Sequence, residues 1–324
     1  MQGTYEITIE NKKTRYMFTI RRNLTIIRGN SATGKTTLID MVREYAENGE
    51  NSGITLSCSC PCVVLEGTNW RSVLPNYQNS IVFIDEGNNF ITTKEFAGEI
   101  AQTSNYYVIA TRDALPMLPY SVEEIYGIRT SNKYASLKKV HNELYHMYNF
   151  SYNDSFKPAV VLTEDSASGH QFWKSICEHE DILCAACAGK SNVIASILSV
   201  DRTKPILVIA DGAAFGPEID RVLKLSQVFK LSLYLPESFE WLILKAGIIR
   251  IDKLQAILAN PSAYIESEKF FSWEQFFTAI LTDATKDTPF AYKKARINEA
   301  YLTNTAKSKI LHVDEGIMEH ILRK

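Results

Sequence analysis

The run Leu24-Thr25-Ile26-Ile27-Arg28-Gly29-Asn30-Ser31-Ala32-Thr33-Gly34-Lys35-Thr36-Thr37 passes from an apolar segment into a glycine-rich turn, then into the helical pattern Leu38-Ile39-Asp40-Met41-Val42. A strand delivering the backbone into such a turn, with a helix opening from it, aims successive backbone N–H groups at one point. That arrangement suits phosphate oxygens. Lys35 is then the cation for β- and γ-phosphates, and the Thr36 hydroxyl a Mg²⁺ ligand. Gly29, Asn30, Ser31, Ala32, Thr33, Gly34, Lys35, Thr36 and Thr37 are the expected cofactor-binding residues, and ATP with Mg²⁺ the expected cofactor. A glycine-rich turn that only starts a helix leaves the Lys-Thr pair unexplained.

Downstream, Ile81-Val82-Phe83-Ile84-Asp85-Glu86 has the Walker B form, four apolar residues followed by two carboxylates. Asp85 is the expected second metal-side group, and Glu86 the group that polarises an attacking water. Tyr106-Tyr107-Val108-Ile109-Ala110 is a further strand, and Thr111 or Arg112 at its end is placed to sense a γ-phosphate. Lys35, Glu86 and Thr111 are the candidate catalytic residues. Tyr5–Ile9 and Tyr16–Ile20 flank the polar turn Asn11-Lys12-Lys13 as a hairpin, and Cys62–Leu65 reads as another buried strand. A helix is expected over Thr93–Ile100. Strands alternating with helices predict an α/β domain with a mainly parallel sheet.

These residues resemble P-loop ATPases of the AAA/ABC-like type over roughly residues 1–130, with the specificity resting on the two Walker motifs. The hairpin ahead of the loop is similar to the ABC and SMC branch. The chain has no Leu-Ser-Gly-Gly-Gln signature, no room for a helical insert between the motifs, and no four-helix lid. A P-loop kinase is the rival within this class, but paired Asp-Glu at a strand end suits water activation better.

At 324 residues two domains are expected, and 45% hydrophobic with 22% charged residues describes a soluble globular chain. A net charge of -2 excludes a generally basic nucleic-acid coat, so contact with DNA or RNA must be local or metal-bridged. No apolar run has the ~20 residues that span a membrane, and the first residues do not read as a secretory signal, so a cytoplasmic location is expected. Cys58, Cys60 and Cys62 alternate, which puts them on one side of an extended segment. Cys184 and Cys187 have half the spacing of a zinc site, with Cys177 nearby. No second pair completes a four-ligand set, and reduced thiols are the expectation.

From Ser131 to Phe156 the chain is polar and tyrosine-rich, and a junction is placed at 131–158. A second α/β series follows, with strands at Ala159–Thr163, Asp181–Cys184, Pro205–Ala210 and Lys230–Tyr234, and helices at Gln171–Cys177 and Val193–Leu198. The expected layout is an ATPase domain over 1–130, the junction, a second α/β domain over 159–240, and a helical region over 241–324.

Val160-Val161-Leu162-Thr163-Glu164 and Ile206-Leu207-Val208-Ile209-Ala210-Asp211-Gly212-Ala213-Ala214-Phe215-Gly216 together resemble the Toprim domain of topoisomerases, DnaG-type primases and overcoming-lysogenization-defect (OLD) nucleases. The resemblance implies that Glu164 and Asp211 bind Mg²⁺ for phosphodiester chemistry, with Gly216 as the family glycine and Ala188–Val193 as its glycine turn and helix. Ala213 stands where the family has its second Asp, which leaves two ligands and impairs a two-metal site. Glu218, Asp220, Glu237 and Glu240 are the acids that could compensate.

ATPase and Toprim on one chain is the OLD-family arrangement, associated with defence against phage and mobile DNA, although this ATPase half is much shorter. The implied function is an ATP-hydrolysing module whose nucleotide state controls a Toprim-like domain acting on or binding DNA or RNA. The alternatives are an ATP-dependent switch with a catalytically dead Toprim-like scaffold, or a kinase with an unrelated second domain. The first domain offers no clear arginine finger, so a homo-oligomer or protein partner is expected to supply one.

Overall fold

The computed structural model describes residues 1–30, 33–131, 139–150 and 156–314, with Met318 and Leu322. The chain forms two compact units, Met1–Asn149 with Asn260–Ser272, and Phe150–Ala259 with Trp273–Lys324.

In the first unit the hairpin β1 (Tyr5–Glu10) and β2 (Thr14–Ile20) precedes β3 (Leu24–Arg28) and α1 (Lys35–Asn48). Then come β4 (Thr55–Ser57), β5 (Cys62–Val64), α2 (Trp70–Val73), β6 (Ile81–Ile84), α3 (Lys94–Ile100), β7 (Tyr106–Thr111), β8 (Ile125–Thr130) and β9 (Val140–His146). Local chemistry sets several ends. Asn11 Oδ1 accepts from the Lys13 and Thr14 N–H groups at the hairpin turn. The Thr93 hydroxyl caps α3 by accepting from Phe96 N–H.

The sheet order is β4-β1-β2-β9-β8-β3-β7-β6-β5. The sheet is mixed, with most of its pairings parallel, β2–β9 included. The β3, β5, β6, β7 and β8 neighbours run parallel, whereas β1–β2, β1–β4 and β8–β9 are antiparallel. Every residue of β3, β6 and β7 is buried, the burial that an apolar run without alternation demands. The apolar face of α1 (Leu38, Ile39, Met41, Val42) packs in one cluster with Ile7 and Ile9 of β1, Cys62 of β5, and Ile81 and Phe83 of β6. Part of the junction expected at 131–158 is strand β9, and Asn260–Ser272, expected in the helical tail, belongs to this unit. Asn23 anchors that segment by donating to the Ser267 and Phe270 carbonyls, both at 3.1 Å.

The second unit has a parallel sheet in the order β11-β10-β12-β13: β10 (Val160–Thr163), β11 (Leu183–Ala186), β12 (Ile206–Ile209) and β13 (Leu231–Tyr234). The strand expected from Asp181 starts two residues later, because Asp181 takes a left-handed φ of 54° and Ile182 N–H turns back to the Cys177 carbonyl. Its helices are α4 (Ser168–Cys177), α5 (Val193–Ser199), α6 (Ile219–Leu225), α7 (Phe239–Lys245), α8 (Leu254–Ala259), α9 (Trp273–Thr285) and α10 (Asn304–Leu311). Among the described residues no helix is long and apolar enough to cross a membrane.

Candidate functional site

In the first unit β7 lies between β3 and β6. Arg28 pairs with Thr111 and Ile84 with Ile109, so Gly29 and Arg112 leave the sheet side by side at its carboxyl end, with Asp85 leaving the same end two residues earlier. Carboxyl ends of parallel strands are where α/β sheets bind ligands. The register therefore gathers the loop, the two carboxylates and the Thr-Arg pair that the sequence separates.

The loop turns on glycine at two places. Gly34, the N-cap of α1, has φ +92°, and a Cβ there would stand 2.8 Å from the Tyr16 hydroxyl. Tyr16 in turn donates to the Gly34 carbonyl at 2.9 Å and shares side-chain hydrogen bonds with Thr37 and Asn142. Gly29, with φ +152°, is approached by Thr33, whose hydroxyl donates to the Asn30 carbonyl. Gly34 gives α1 no side-chain cap, so the amides of the first turn remain directed outward with the positive end of the helix. Lys35 is buried. Its Nζ donates to the carbonyls of Gly29 and Asn30 and stands 4.0 Å from Glu86 Oε2. Ser31 and Ala32 lie outside the described residues.

Glu86 also meets Arg112, which donates through Nη2 at 2.7 Å and through Nε at 3.0 Å to Oε1. The Glu86 carboxylate raises the Arg112 guanidinium. Thr111, buried, donates to the Asp113 carbonyl and accepts from Asp113 N–H, both at 3.1 Å, so its hydroxyl shapes the turn that presents Arg112. Asp85 Oδ1 accepts from Glu86 N–H at 2.8 Å, and Thr36 is exposed at the start of α1. A pocket of ≈ 310 Å³ opens beside these groups, lined by Glu86, Asn88, Thr111 and Arg112 among others. Among the described residues no three His, Cys, Asp or Glu side chains are gathered to hold a metal by themselves. The hard oxygens of Thr36 and Asp85 fit Mg²⁺ of the kind that arrives on phosphate and takes only one or two protein ligands. Tyr16 was missed in the sequence; its strand position gave no hint that its hydroxyl closes over Gly34.

In the second unit β10 lies between β11 and β12, and Thr163 pairs with both Ala186 and Ile209. Glu164 and Asp211 therefore emerge side by side at the point where the strand order reverses. Asp211 N–H donates to Glu164 Oε2 at 3.1 Å, and Asp211 Oδ1 accepts from Phe239 N–H at 3.2 Å. The turn after Asp211 packs tightly, since a Cβ at Gly212 would stand 2.7 Å from the Leu235 carbonyl. A cavity of only ≈ 20 Å³, about one water, lies among Glu164, Asp165, Asp211 and Phe239. Ala213 is buried, and its N–H donates to the Glu237 carbonyl.

Of the acids named as compensating, Glu240 acts on Asp211; so does Glu274 of α9, which sequence reading missed. Burial, then Glu274, Glu240 and Glu164, push the Asp211 carboxyl well up. Burial is also the main cause that pushes Glu164 up to about 7. Two lysines supply counter-charge, Lys190 acting on Glu164 and Lys294 on Asp211. For Lys294 the contacts are direct. Its Nζ donates to Glu274 and lies 3.9 Å from Glu240 Oε1, and those carboxylates outweigh burial to raise it. Tyr292 donates to Glu240 Oε1 at 2.7 Å, while the buried Glu240 Oε2 has no hydrogen-bond partner among the described residues. The acids thus carry a tethered ammonium, and the described residues do not gather a metal-binding set of three.

The raised Glu164 fixes a sign. Folded protein binds this proton more tightly than unfolded chain, so its contribution is fully present below about 4.5 and is lost as pH rises toward 7. Glu164→Gln is expected to raise Tm at pH 8 and to flatten the fall between pH 5 and pH 8, read by thermal denaturation. A lower Tm at pH 8 in the variant would contradict that assignment.

Compared with protein-family models, curated proteins and solved structures, the chain matches none.

Proposed function

We propose that the first unit binds ATP with Mg²⁺ at its glycine-lysine loop and hydrolyses it, and that the second unit is a Toprim-like domain whose state follows the nucleotide. The observation that carries this reading is the convergence of Lys35, Glu86 and Arg112 beyond the carboxyl ends of β3, β6 and β7, with Lys35 Nζ 4.0 Å and Arg112 Nη2 2.7 Å from Glu86. The first-turn amides of α1 and Lys35 hold the phosphates. Thr36 and Asp85 would hold Mg²⁺, which would supply charge neutralisation to the phosphates. A γ-phosphate competes with Glu86 for Lys35 and Arg112. Glu86 so released accepts the proton of a water whose oxygen adds to the γ-phosphorus as the bond to the bridging oxygen breaks.

For the second unit, Lys294 favours the silent scaffold over an active nuclease. An ammonium already neutralises Glu240 and Glu274, which act on Asp211, and Ala213 supplies no further acid. DNA or RNA remains the proposed partner class for this unit, by resemblance. The test of the whole reading is phosphate release from ATP by the full chain in Mg²⁺. Turnover in the wild type that falls at least about 10²-fold in Lys35→Ala is the expected result; equal turnover in the two would refute the site.

A further inference from the structure

β4 ends at Ser57 and β5 begins at Cys62, yet these strands stand at opposite ends of the first sheet's order. So short a connection reaches at most roughly 18 Å. The two sheet edges therefore approach each other around α1, and Cys58-Ser59-Cys60-Pro61 closes the seam between them. The backbone bends at Ser59 and Cys60. This bend folds the sulfurs together: Cys58 Sγ and Cys60 Sγ are 3.7 Å apart, and Cys62 Sγ donates to the Cys60 carbonyl at 3.9 Å. Cys62 is buried in the core, whereas Cys58 and Cys60 are half-buried at its margin, within reach of solvent.

The three thiols are chemically unequal. The contact with Cys60 first, and then the backbone N–H groups of Cys60 and Ser59, hold the Cys58 thiol below its ordinary range. The same contacts, with burial, push Cys60 and Cys62 upward. In the second unit Cys184 is raised by its bond with Cys177 and by burial, and Cys187 is raised by burial. A partly exposed sulfur stabilised as thiolate, with a second thiol in contact, is the arrangement of an attacking and a resolving cysteine.

We propose that Cys58 and Cys60 form a thiol–disulfide couple that reacts with low-molecular-weight disulfides, Cys58 attacking and Cys60 resolving. Cys58 thiolate attacks one sulfur of RSSR, forming Cys58–S–SR as the RS–SR bond breaks and RS⁻ leaves. Cys60 then gives its proton to solvent, and its thiolate attacks the Cys58 sulfur. The Cys58–SR bond breaks, and the second RS⁻ leaves. Two thiols are oxidised and one RSSR is reduced to two RSH. A disulfide of 2.03–2.05 Å requires the two sulfurs to close by about 1.7 Å, a movement that the bend at Ser59 can absorb. The product ties the seam with a small ring and leaves Cys62 in the core. This couple is independent of the nucleotide reading.

The test treats the native full chain with oxidised glutathione, blocks residual thiols and maps tryptic peptides without reduction. No Lys or Arg lies between Glu44 and Arg71, so one peptide carries all three cysteines. Wild type and Cys62→Ser are expected to lose two hydrogens in that peptide, while Cys177, Cys184 and Cys187 stay alkylatable. Cys60→Ser should stop at the glutathione adduct on Cys58, and Cys58→Ser should form neither. In the reduced wild type at pH 6, iodoacetamide should label Cys58 at least about tenfold faster than Cys184. Undiminished disulfide in Cys58→Ser, oxidation of the second unit's cysteines first, or labelling of Cys58 no faster than Cys184 would each overturn the proposal. Cys62→Ser keeps the outcome decisive should either other variant fold poorly.

Discussion

Glu86→Gln is expected to keep nucleotide affinity while its turnover falls by about 10²–10⁴, the usual span of a positioned general base. The substitution preserves the shape that Arg112 and Lys35 hold but removes proton acceptance. A glutamine can still receive the Arg112 fork through its carbonyl oxygen, so the loop and pocket should persist. Affinity is measured with labelled ATP and turnover as phosphate release on the same preparation. Wild-type turnover in the variant would move the base elsewhere, and loss of affinity together with turnover would make Glu86 a structural counter-ion of Lys35.

The second large effect is expected at Lys294. Its ammonium serves Glu240, whose side chain is 2% exposed, and Glu274, and it acts on Asp211. Removing one member of a buried pair costs about 3–5 kcal/mol. Lys294 is itself 43% exposed, and solvent screening reduces the expected loss to roughly 1–3 kcal/mol. Lys294→Met should therefore lower Tm by several degrees. It should also create a divalent dependence: millimolar Mg²⁺ or Mn²⁺ raises the variant's Tm and leaves the wild type unchanged, because the crowded acids then lack their tethered cation. A variant as stable as the wild type and indifferent to metal would show that Lys294 does not neutralise this cluster.

The strands that hold the site were legible because their burial is complete. Ile81–Ile84 and Tyr106–Thr111 are unbroken apolar runs ending in polar groups, and no exposed face interrupts the pattern. Val140–His146 was hidden for the opposite reason. Its residues are half-buried or exposed, it pairs antiparallel with β8, and it reads as polar junction. Thr55–Ser57 is too short to show a period. Within the sites, residues adjacent to strand ends could be named from local pattern, but groups contributed from far along the chain could not. Tyr16 reaches Gly34 from β2, and Glu274 and Lys294 reach the Glu164–Asp211 pair from segments with no motif around them.

Equilibrium binding of ATP in Mg²⁺ to the full chain, with Lys35→Ala alongside, bears most directly on the central claim that the glycine-lysine loop is a phosphate site. Lys35 is the buried cation of that loop, with its Nζ on the carbonyls of Gly29 and Asn30. Its loss leaves phosphate charge without a partner in a partly desolvated site, worth about 1.5–3 kcal/mol for a hydrogen bond to a charged group. Saturable binding by the wild type, weakened at least about tenfold in Lys35→Ala with the fold retained, is the predicted result. Binding of equal strength in both proteins, or none in a well-folded wild type, would contradict it.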